Sequence, residues 1–85
     1  MKEFTYVIKD KEGIHSRPAG LVVAEAKKYA SAVTIENKGK TVDLKRIIGV
    51  MSLCAKCGEP VTVRCDGADE QAACEAIYKV FQENL

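Results

Sequence analysis

The segment Ala32-Val33-Thr34-Ile35-Glu36-Asn37-Lys38-Gly39-Lys40-Thr41-Val42-Asp43 contains two short runs that alternate apolar and polar residues. Alternation with a period of two is typical of a strand that has one buried and one wet face. Asn37-Lys38-Gly39 separates the two runs and supplies the residue types that tight turns need. The pattern therefore predicts a β-hairpin whose two strands are antiparallel neighbours.

Two further segments with strand character flank the hairpin. Phe4-Thr5-Tyr6-Val7-Ile8 places its aromatic residues and Ile8 on one face, and the polar stretch Asp10-Lys11-Glu12-Gly13 ends it. Val61-Thr62-Val63-Arg64-Cys65 alternates in the same way and is closed by the turn residues Asp66-Gly67. The chain thus contains four predicted strands.

Three segments with helical periodicity alternate with these strands. After Pro18 an apolar stripe extends to about Tyr29, opposite a charged face. Between Leu44 and Leu53 a strongly apolar run, interrupted by one glycine, predicts a short helix. Asp69 is a suitable cap for a last, longer helix. Its predicted buried stripe consists of Ala73, Cys74, Ile77, Val80 and Phe81.

The order of elements is therefore β-α-β-β-α-β-α. Because the strands alternate apolar with polar residues, one face of the sheet should be wet and the other covered by helices. This predicts an α+β fold, a two-layer open-faced sandwich. A chain of 85 residues has room for one compact core, so we expect a single domain over residues 1–85.

The overall charge excludes some classes of partner. The 13 basic and 12 acidic residues nearly cancel, which argues against binding to nucleic acid or to an anionic membrane surface. We expect no membrane insertion, because no apolar run is long enough to span a bilayer and the N-terminus has no signal-peptide pattern. The expected location is the cytoplasm, where cysteines are kept reduced.

The segment Gly13-Ile14-His15-Ser16-Arg17-Pro18-Ala19-Gly20 lies where a loop meets the predicted first helix. Pro18 suits a first helical turn, because its φ is fixed and its missing N–H would have no helical partner. Either Ser16 or His15 would then be the cap. The unpaired N–H groups and the dipole at such a helix start favour a bound anion.

His15 is the only histidine, and a neutral imidazole is a nucleophile that accepts and releases groups reversibly. Arg17 places a planar cationic fork nearby, which suits phosphate oxygens. Together with the helix start, these residues predict a phosphoryl-accepting site that needs no metal or cofactor. From the spacing alone, a histidine that merely caps the helix or lies on the surface is the commoner case.

Two segments of the chain resemble the HPr family, the phosphocarrier proteins of the bacterial phosphoenolpyruvate-dependent sugar phosphotransferase system. Gly13-Ile14-His15-Ser16-Arg17-Pro18-Ala19 resembles the active-site signature of that family. The segment Lys40-Thr41-Val42-Asp43-Leu44-Lys45, followed by Ile48-Gly49-Val50-Met51-Ser52-Leu53, resembles its second signature. With the element order matching as well, the resemblance covers essentially the whole chain and favours phosphoryl acceptance by His15.

The resemblance implies a four-stranded antiparallel sheet of order 1-4-2-3 with three helices on one face. It implies that enzyme I, which takes its phosphoryl group from phosphoenolpyruvate, phosphorylates His15 on Nδ1. His15 would then hand the group to an enzyme IIA domain. Arg17 and the main chain of Ser16 and Arg17 would contact the phosphoryl group. The chain would be a carrier rather than an enzyme, and we expect a monomer.

Members of the family dock on their partners through the exposed apolar side of the second helix. Here that surface would consist of Ile47, Ile48 and Met51. Exposed apolar patches beside a reactive group suit transient partners. The alternative is that these side chains belong to the core.

The sequence departs from the family at Arg46, where many Gram-positive members have a serine that a kinase phosphorylates to recruit a transcriptional repressor. Arginine cannot take this modification, so we do not expect the repressor role. We expect Arg46 instead to join Arg17 and Lys45 in a basic rim that speeds docking on acidic partners. Ser52 is another hydroxyl in this helix, and we assign it no function.

The four cysteines are the second departure. Cys54 stands where relatives commonly have glycine, and Cys57 follows at a spacing found in metal sites. A zinc site would need Cys65 and Cys74 to converge on this pair, although both are predicted to face inward from a strand and a helix. A redox-active pair is the other alternative. We expect no metal, with Cys65 and Cys74 acting as small buried apolar residues.

Two other classes of function remain open at this point. One is a regulatory HPr-like protein, which controls effectors through its phosphorylation state without serving sugar uptake. The other is a thiol or metal protein on a borrowed fold, since a fold does not determine a function.

Overall fold

The computed structural model describes residues 1–85. Its seven elements follow the predicted order β-α-β-β-α-β-α. They are β1 Lys2–Val7, α1 Ser16–Ala26, β2 Ala32–Asn37, β3 Lys40–Asp43, α2 Ile47–Ser52, β4 Pro60–Asp66 and α3 Glu70–Asn84. No helix is long and apolar enough to cross a membrane.

The four strands form one antiparallel sheet in the order β1-β4-β2-β3, which confirms the order implied by the resemblance. β4 is central, and its Val63 lies opposite Phe4 of β1 on one side and Ile35 of β2 on the other. The predicted hairpin is β2-β3. Its two-residue turn, Lys38-Gly39, has φ of 52° and 81°, as the twist of a tight hairpin requires.

The core fills the space between the sheet and the helices, as the alternating strand pattern predicts. The sheet contributes Val33, Ile35, Val61, Val63 and Cys65, and the helices contribute Ala19, Val22, Ala26, Ala73, Ile77 and Phe81. Edge-to-face contacts of Phe4 and Tyr6 with Phe81 pack β1 against α3. Polar side chains occupy the opposite face of the sheet, where Arg64 pairs with Glu3 and Glu36. The predicted open-faced sandwich is confirmed.

Three local expectations differ from the structure. α1 ends at Ala26 rather than near Tyr29, because the chain tightens into i→i−3 hydrogen bonds, such as the one from the Tyr29 amide to the Ala26 carbonyl. Asp69 is the cap residue of α3, but its carboxylate makes no capping hydrogen bond. Cys74 and Val80, predicted in the buried stripe of α3, are only partly buried.

The Asp69 carboxylate instead accepts hydrogen bonds from Ala30 and Ser31, which are distant from it in the sequence. The Ala30 and Ser31 amides donate to its two oxygens at 2.9 Å each, and the Ser31 hydroxyl donates to it as well. Ser31 is almost completely buried, so its polar groups need such a partner. This contact ties the segment between α1 and β2 to the start of α3.

Candidate functional site

The site is built at the start of α1. His15 is the cap residue, with an extended backbone (φ −118°, ψ −178°), and its carbonyl accepts the Ala19 amide at 3.0 Å. Its imidazole makes no capping hydrogen bond, so the ring is not engaged at the start of the helix. The side chain is about one-third exposed, at 34%. The imidazole is therefore accessible and stands at the positive end of the helix.

Two main-chain donors next to the imidazole have no partner in the protein. The amides of Ser16 and Arg17 lie in the first turn of α1, where no helical acceptor exists, and no other protein group accepts from them. Pro18 follows in the buried part of that turn and contributes no donor. The Arg17 side chain is exposed and forms no ion pair. These free donors are what an incoming phosphoryl group requires.

A cleft of about 280 Å³ opens over His15 and Arg17, so the structure brings these two residues together. Its walls come from the loop before α1, the first turns of α1 and the end of α3. The lining residues are Asp10, Glu12, His15, Arg17, Pro18, Leu21, Glu83 and Asn84.

Two carboxylates face the imidazole from the preceding loop. The Nε2 atom of His15 lies 3.6 Å from Oδ2 of Asp10 and 3.4 Å from Oε2 of Glu12. One ring nitrogen and one carboxylate oxygen from each acid, the atoms that could bind a metal ion, all lie within 4.8 Å of one another. Sequence reasoning assigned the stretch that contains Asp10 and Glu12 only to the end of a strand. The available signal in the sequence was the aspartate at position 10, because an Asp side chain can accept the amide hydrogen two residues later and form an Asx turn.

The loop that carries the site is held by hydrogen bonds to a second segment. The Ile14 amide donates to the Ala55 carbonyl at 2.9 Å, and both residues are buried. Gly13 has φ +70° and approaches Ala55 so closely that a Cβ there would lie 2.3 Å from the Ala55 oxygen. The segment after α2 thus supports the loop before α1.

The predicted docking residues lie on α2, which packs against α1. Ile47, Ile48 and Met51 are 40%, 81% and 36% exposed, while Val50 of the same helix is buried. The alternative that these three side chains are core residues is therefore wrong. They form an exposed apolar surface on a helix adjacent to the one that His15 caps.

The expected basic rim is divided between two places in the structure. Lys45 and Arg46 line a shallow groove beside α2, together with Lys27, whereas Arg17 lines the cleft over His15. The Lys45 ammonium donates to the Tyr29 carbonyl at 2.8 Å, so it is engaged with the segment between α1 and β2. Arg46 is strongly exposed and lies 3.7 Å from Asp43.

The four cysteines do not converge on one site. Cys54 and Cys57 are exposed, whereas Cys65 is buried on β4 and Cys74 is partly buried on α3. The Cys57 thiol lies 3.7 Å from the Lys9 carbonyl, on the side of the loop that precedes the site. Burial raises the pKa of the Cys65 thiol to about 11, so it stays protonated at neutral pH. No group of three cysteines comes close enough to hold a metal ion.

Comparison with known proteins gives consistent matches over nearly the whole chain. The family model of the PTS HPr component phosphorylation site matches residues 2–83. The structure of a histidine-containing phosphocarrier protein of Mycoplasma is 36% identical, with a TM-score of 0.95 over 96% of this chain and 93% of that chain. HPr of Thermoanaerobacter tengcongensis is 40% identical, with a TM-score of 0.93 over 98% of this chain and 93% of that chain.

A third similar structure is that of Crh, the catabolite repression protein of Bacillus subtilis, solved as a domain-swapped dimer. It is 40% identical, with a TM-score of 0.78 over 94% of this chain and 92% of that chain. Relatives at this level of identity thus include both phosphotransferase-system carriers and a protein of catabolite repression. The chain belongs to the HPr family of phosphocarriers, proteins that carry a phosphoryl group without themselves being catalysts.

Proposed function

We propose that this protein accepts a phosphoryl group on His15 from phosphorylated enzyme I and donates it to enzyme IIA domains in sugar uptake. One observation supports this role above all. An exposed imidazole stands at the start of α1 beside two unpartnered amides and the unpaired guanidinium of Arg17. The family implies phosphotransferase-system partners of this kind.

The transfer needs positioning and charge stabilisation rather than a metal. Nδ1 of His15 attacks the phosphorus of the donor, an N–P bond forms, and the bond to the donor breaks with its electron pair leaving on the donor. The charge on the transferred oxygens is offset by the Ser16 and Arg17 amides and by the Arg17 guanidinium. In donation the same steps run in reverse, towards a new acceptor.

The apolar surface formed by Ile47, Ile48 and Met51 supplies the docking contact in this proposal. Partners must release the carrier after each transfer, and a small apolar patch with a charged margin suits such a brief contact. We propose that Arg46, which is exposed beside this patch, speeds the encounter with acidic partners. Arg46→Ser should therefore slow association with enzyme I at low salt and much less at high salt. An unchanged rate at low salt would refute this role of Arg46.

We propose that the protein acts as a monomer, because one chain supplies all the groups named for phosphoryl acceptance. We propose the cytoplasm as its location, because phosphoenolpyruvate is available to enzyme I there. The swapped dimer of Crh is the alternative arrangement. Light scattering over a range of protein concentrations, compared with the transfer rate at each concentration, shows whether the monomer or the dimer transfers the phosphoryl group fastest.

The decisive experiment is incubation with enzyme I and phosphoenolpyruvate. We expect one acid-labile phosphoryl group per chain, absent from His15→Ala and present in Ser52→Ala, which removes a side chain outside the cleft. Transfer to a panel of enzyme IIA domains then tests donation. Wild-type protein that accepts no phosphoryl group would refute the proposal.

A regulatory role is the second candidate, because Crh of Bacillus subtilis is among the similar structures. Arg46 stands where the phosphorylated serine of many Gram-positive members lies, which argues against the usual repressor route. A protein that is phosphorylated on His15 yet donates to no enzyme IIA domain would favour this candidate.

A further inference from the structure

Asp10 is unusually well fixed for a residue of an exposed loop. Its amide donates to the main-chain oxygen of Leu85 at 2.8 Å, and its carbonyl accepts the Gly13 amide at 2.9 Å. Its Oδ1 accepts the Glu12 amide at 2.8 Å, which closes an Asx turn. With one carboxylate oxygen held in this way, the other is presented to the His15 ring.

The atom of the ring that faces this oxygen is Nε2. Oδ2 of Asp10 lies 3.6 Å from it and Oε2 of Glu12 lies 3.4 Å from it. An ionised carboxylate can only accept hydrogen bonds, and two of them beside one nitrogen favour a proton on that nitrogen. In a neutral imidazole a proton on Nε2 leaves the lone pair on Nδ1.

We infer that Asp10, assisted by Glu12, is a positioning residue that holds His15 as the Nε2–H tautomer, so that Nδ1 is the nucleophile. This inference rests on the proposed function and deepens it. Neither carboxylate needs to touch the phosphoryl group. Their role resembles that of any acceptor that fixes the tautomer of a reactive histidine through its second nitrogen.

The two carboxylates also act once the group has been transferred. When the N–P bond forms at Nδ1 and Nε2 keeps its proton, the ring acquires a positive charge. Asp10 and Glu12 offset that charge, while Arg17 and the first-turn amides offset the repulsion between these acids and the phosphoryl oxygens. The acids therefore stabilise the positive charge on the ring of the phosphorylated form.

The test replaces Asp10 in two ways that keep the loop closed. Asp10→Asn retains an oxygen for the Glu12 amide but presents an N–H donor to the ring, which favours the opposite tautomer. Asp10→Ser retains an oxygen for the turn and removes the second oxygen altogether. Glu83→Gln is the matched control, because Glu83 lines the same cleft and lies outside ion-pair distance of the ring.

Two quantities are measured, with a chelator present because a divalent cation would compete for the same donor atoms. Ring ¹⁵N chemical shifts of the unphosphorylated protein report the tautomer, and rapid-quench kinetics report phosphoryl acceptance from enzyme I. We expect Asp10→Asn to shift the tautomer towards Nδ1–H and to slow acceptance about 3- to 10-fold. Asp10→Ser should fall between Asp10→Asn and the wild type. Glu83→Gln should leave the tautomer unchanged and alter acceptance by a smaller factor than Asp10→Asn does.

The outcomes separate the two proposals. If the wild type accepts no phosphoryl group, the carrier function fails whatever the tautomer. If the wild type is phosphorylated while Asp10→Asn keeps the wild-type ¹⁵N shifts and rate, the positioning role alone fails. An effect of Glu83→Gln equal to that of Asp10→Asn would also overturn it, because general charge in the cleft would then be the cause.

Discussion

Gly13 joins the stability of the fold to the geometry of the proposed phosphoryl site. It has φ +70°, and a Cβ at this position would lie 2.3 Å from the Ala55 oxygen and 2.9 Å from the Lys56 Cα. Both neighbours are main-chain atoms, which cannot rotate aside as a side chain can. The substitution Gly13→Ala must therefore push apart the loop before α1 and the segment after α2.

Three effects contribute to the cost of Gly13→Ala. A left-handed backbone disfavours alanine by about 1 kcal/mol, and overpacking a close contact costs about 1–3 kcal/mol. Separation of the two segments also weakens the hydrogen bond from Ile14 to Ala55, at about 1 kcal/mol. The sum is a loss of about 3–5 kcal/mol. Gly39→Ala is the matched control, because Gly39 has φ +81° and no atom within 4 Å of an added Cβ.

Urea denaturation of both variants measures the free energy of unfolding. We expect Gly39→Ala to lose about 1 kcal/mol and Gly13→Ala about 2–4 kcal/mol more. Phosphoryl acceptance should fall with Gly13→Ala alone, since only that loop carries His15. If the two variants unfold within about 0.5 kcal/mol of each other, the close approach to Ala55 does not support the site in the way argued.

Three further predictions concern other positions. Cys54, just after α2, has φ 51°, a backbone conformation that favours glycine. Cys54→Gly should therefore raise the free energy of unfolding, measured in urea, by about 1 kcal/mol, and a decrease would contradict this prediction. At pH 8 a thiol reagent should modify Cys54 and Cys57 rapidly while Cys65 reacts only after denaturation, as mass spectrometry of the modified peptides will show. Hydrogen bonds, chiefly from the Ser31 hydroxyl, lower the pKa of Asp69 in the folded protein below its ordinary value of 3.8. The ionised carboxylate therefore stabilises the fold fully above about pH 3.8, and this stabilisation is lost as the pH falls through the lower pKa of the folded state. Asp69→Asn should therefore flatten the dependence of Tm on pH below about pH 4, and an unchanged slope would contradict this.

The parts of the fold that were predicted from the sequence depend on local signals. Period-two alternation located all four strands, because burial of one sheet face imposes that period directly on neighbouring residues. The turn at Lys38-Gly39 is equally local, since its conformation depends on those two residues. The sheet order β1-β4-β2-β3 came from the family resemblance, because no local pattern states which strands pair.

What the sequence did not reveal depends on contacts between distant residues. Asp69 has the residue type and position of a cap, yet its carboxylate binds Ala30 and Ser31, 39 and 38 residues earlier in the chain. The buried polar groups of Ser31 compete successfully for that carboxylate, and nothing in the order of residues announces this competition. The orientation of Asp10 towards the ring of His15 was missed for a related reason, because polar loop residues usually face water.

The proposed site therefore combines chemistry from one short segment with support and docking from another. His15, Arg17 and the first-turn amides follow each other along the chain, so their proximity survives any rearrangement that leaves the start of α1 intact. The apolar surface of α2 reaches the neighbourhood of the site only because α2 packs against α1, and Ala55 supports the His15 loop from just beyond α2. Substitutions on the exposed side of α2 should thus slow transfer between proteins, whereas changes at the contact with Ala55 should alter the reactive imidazole itself.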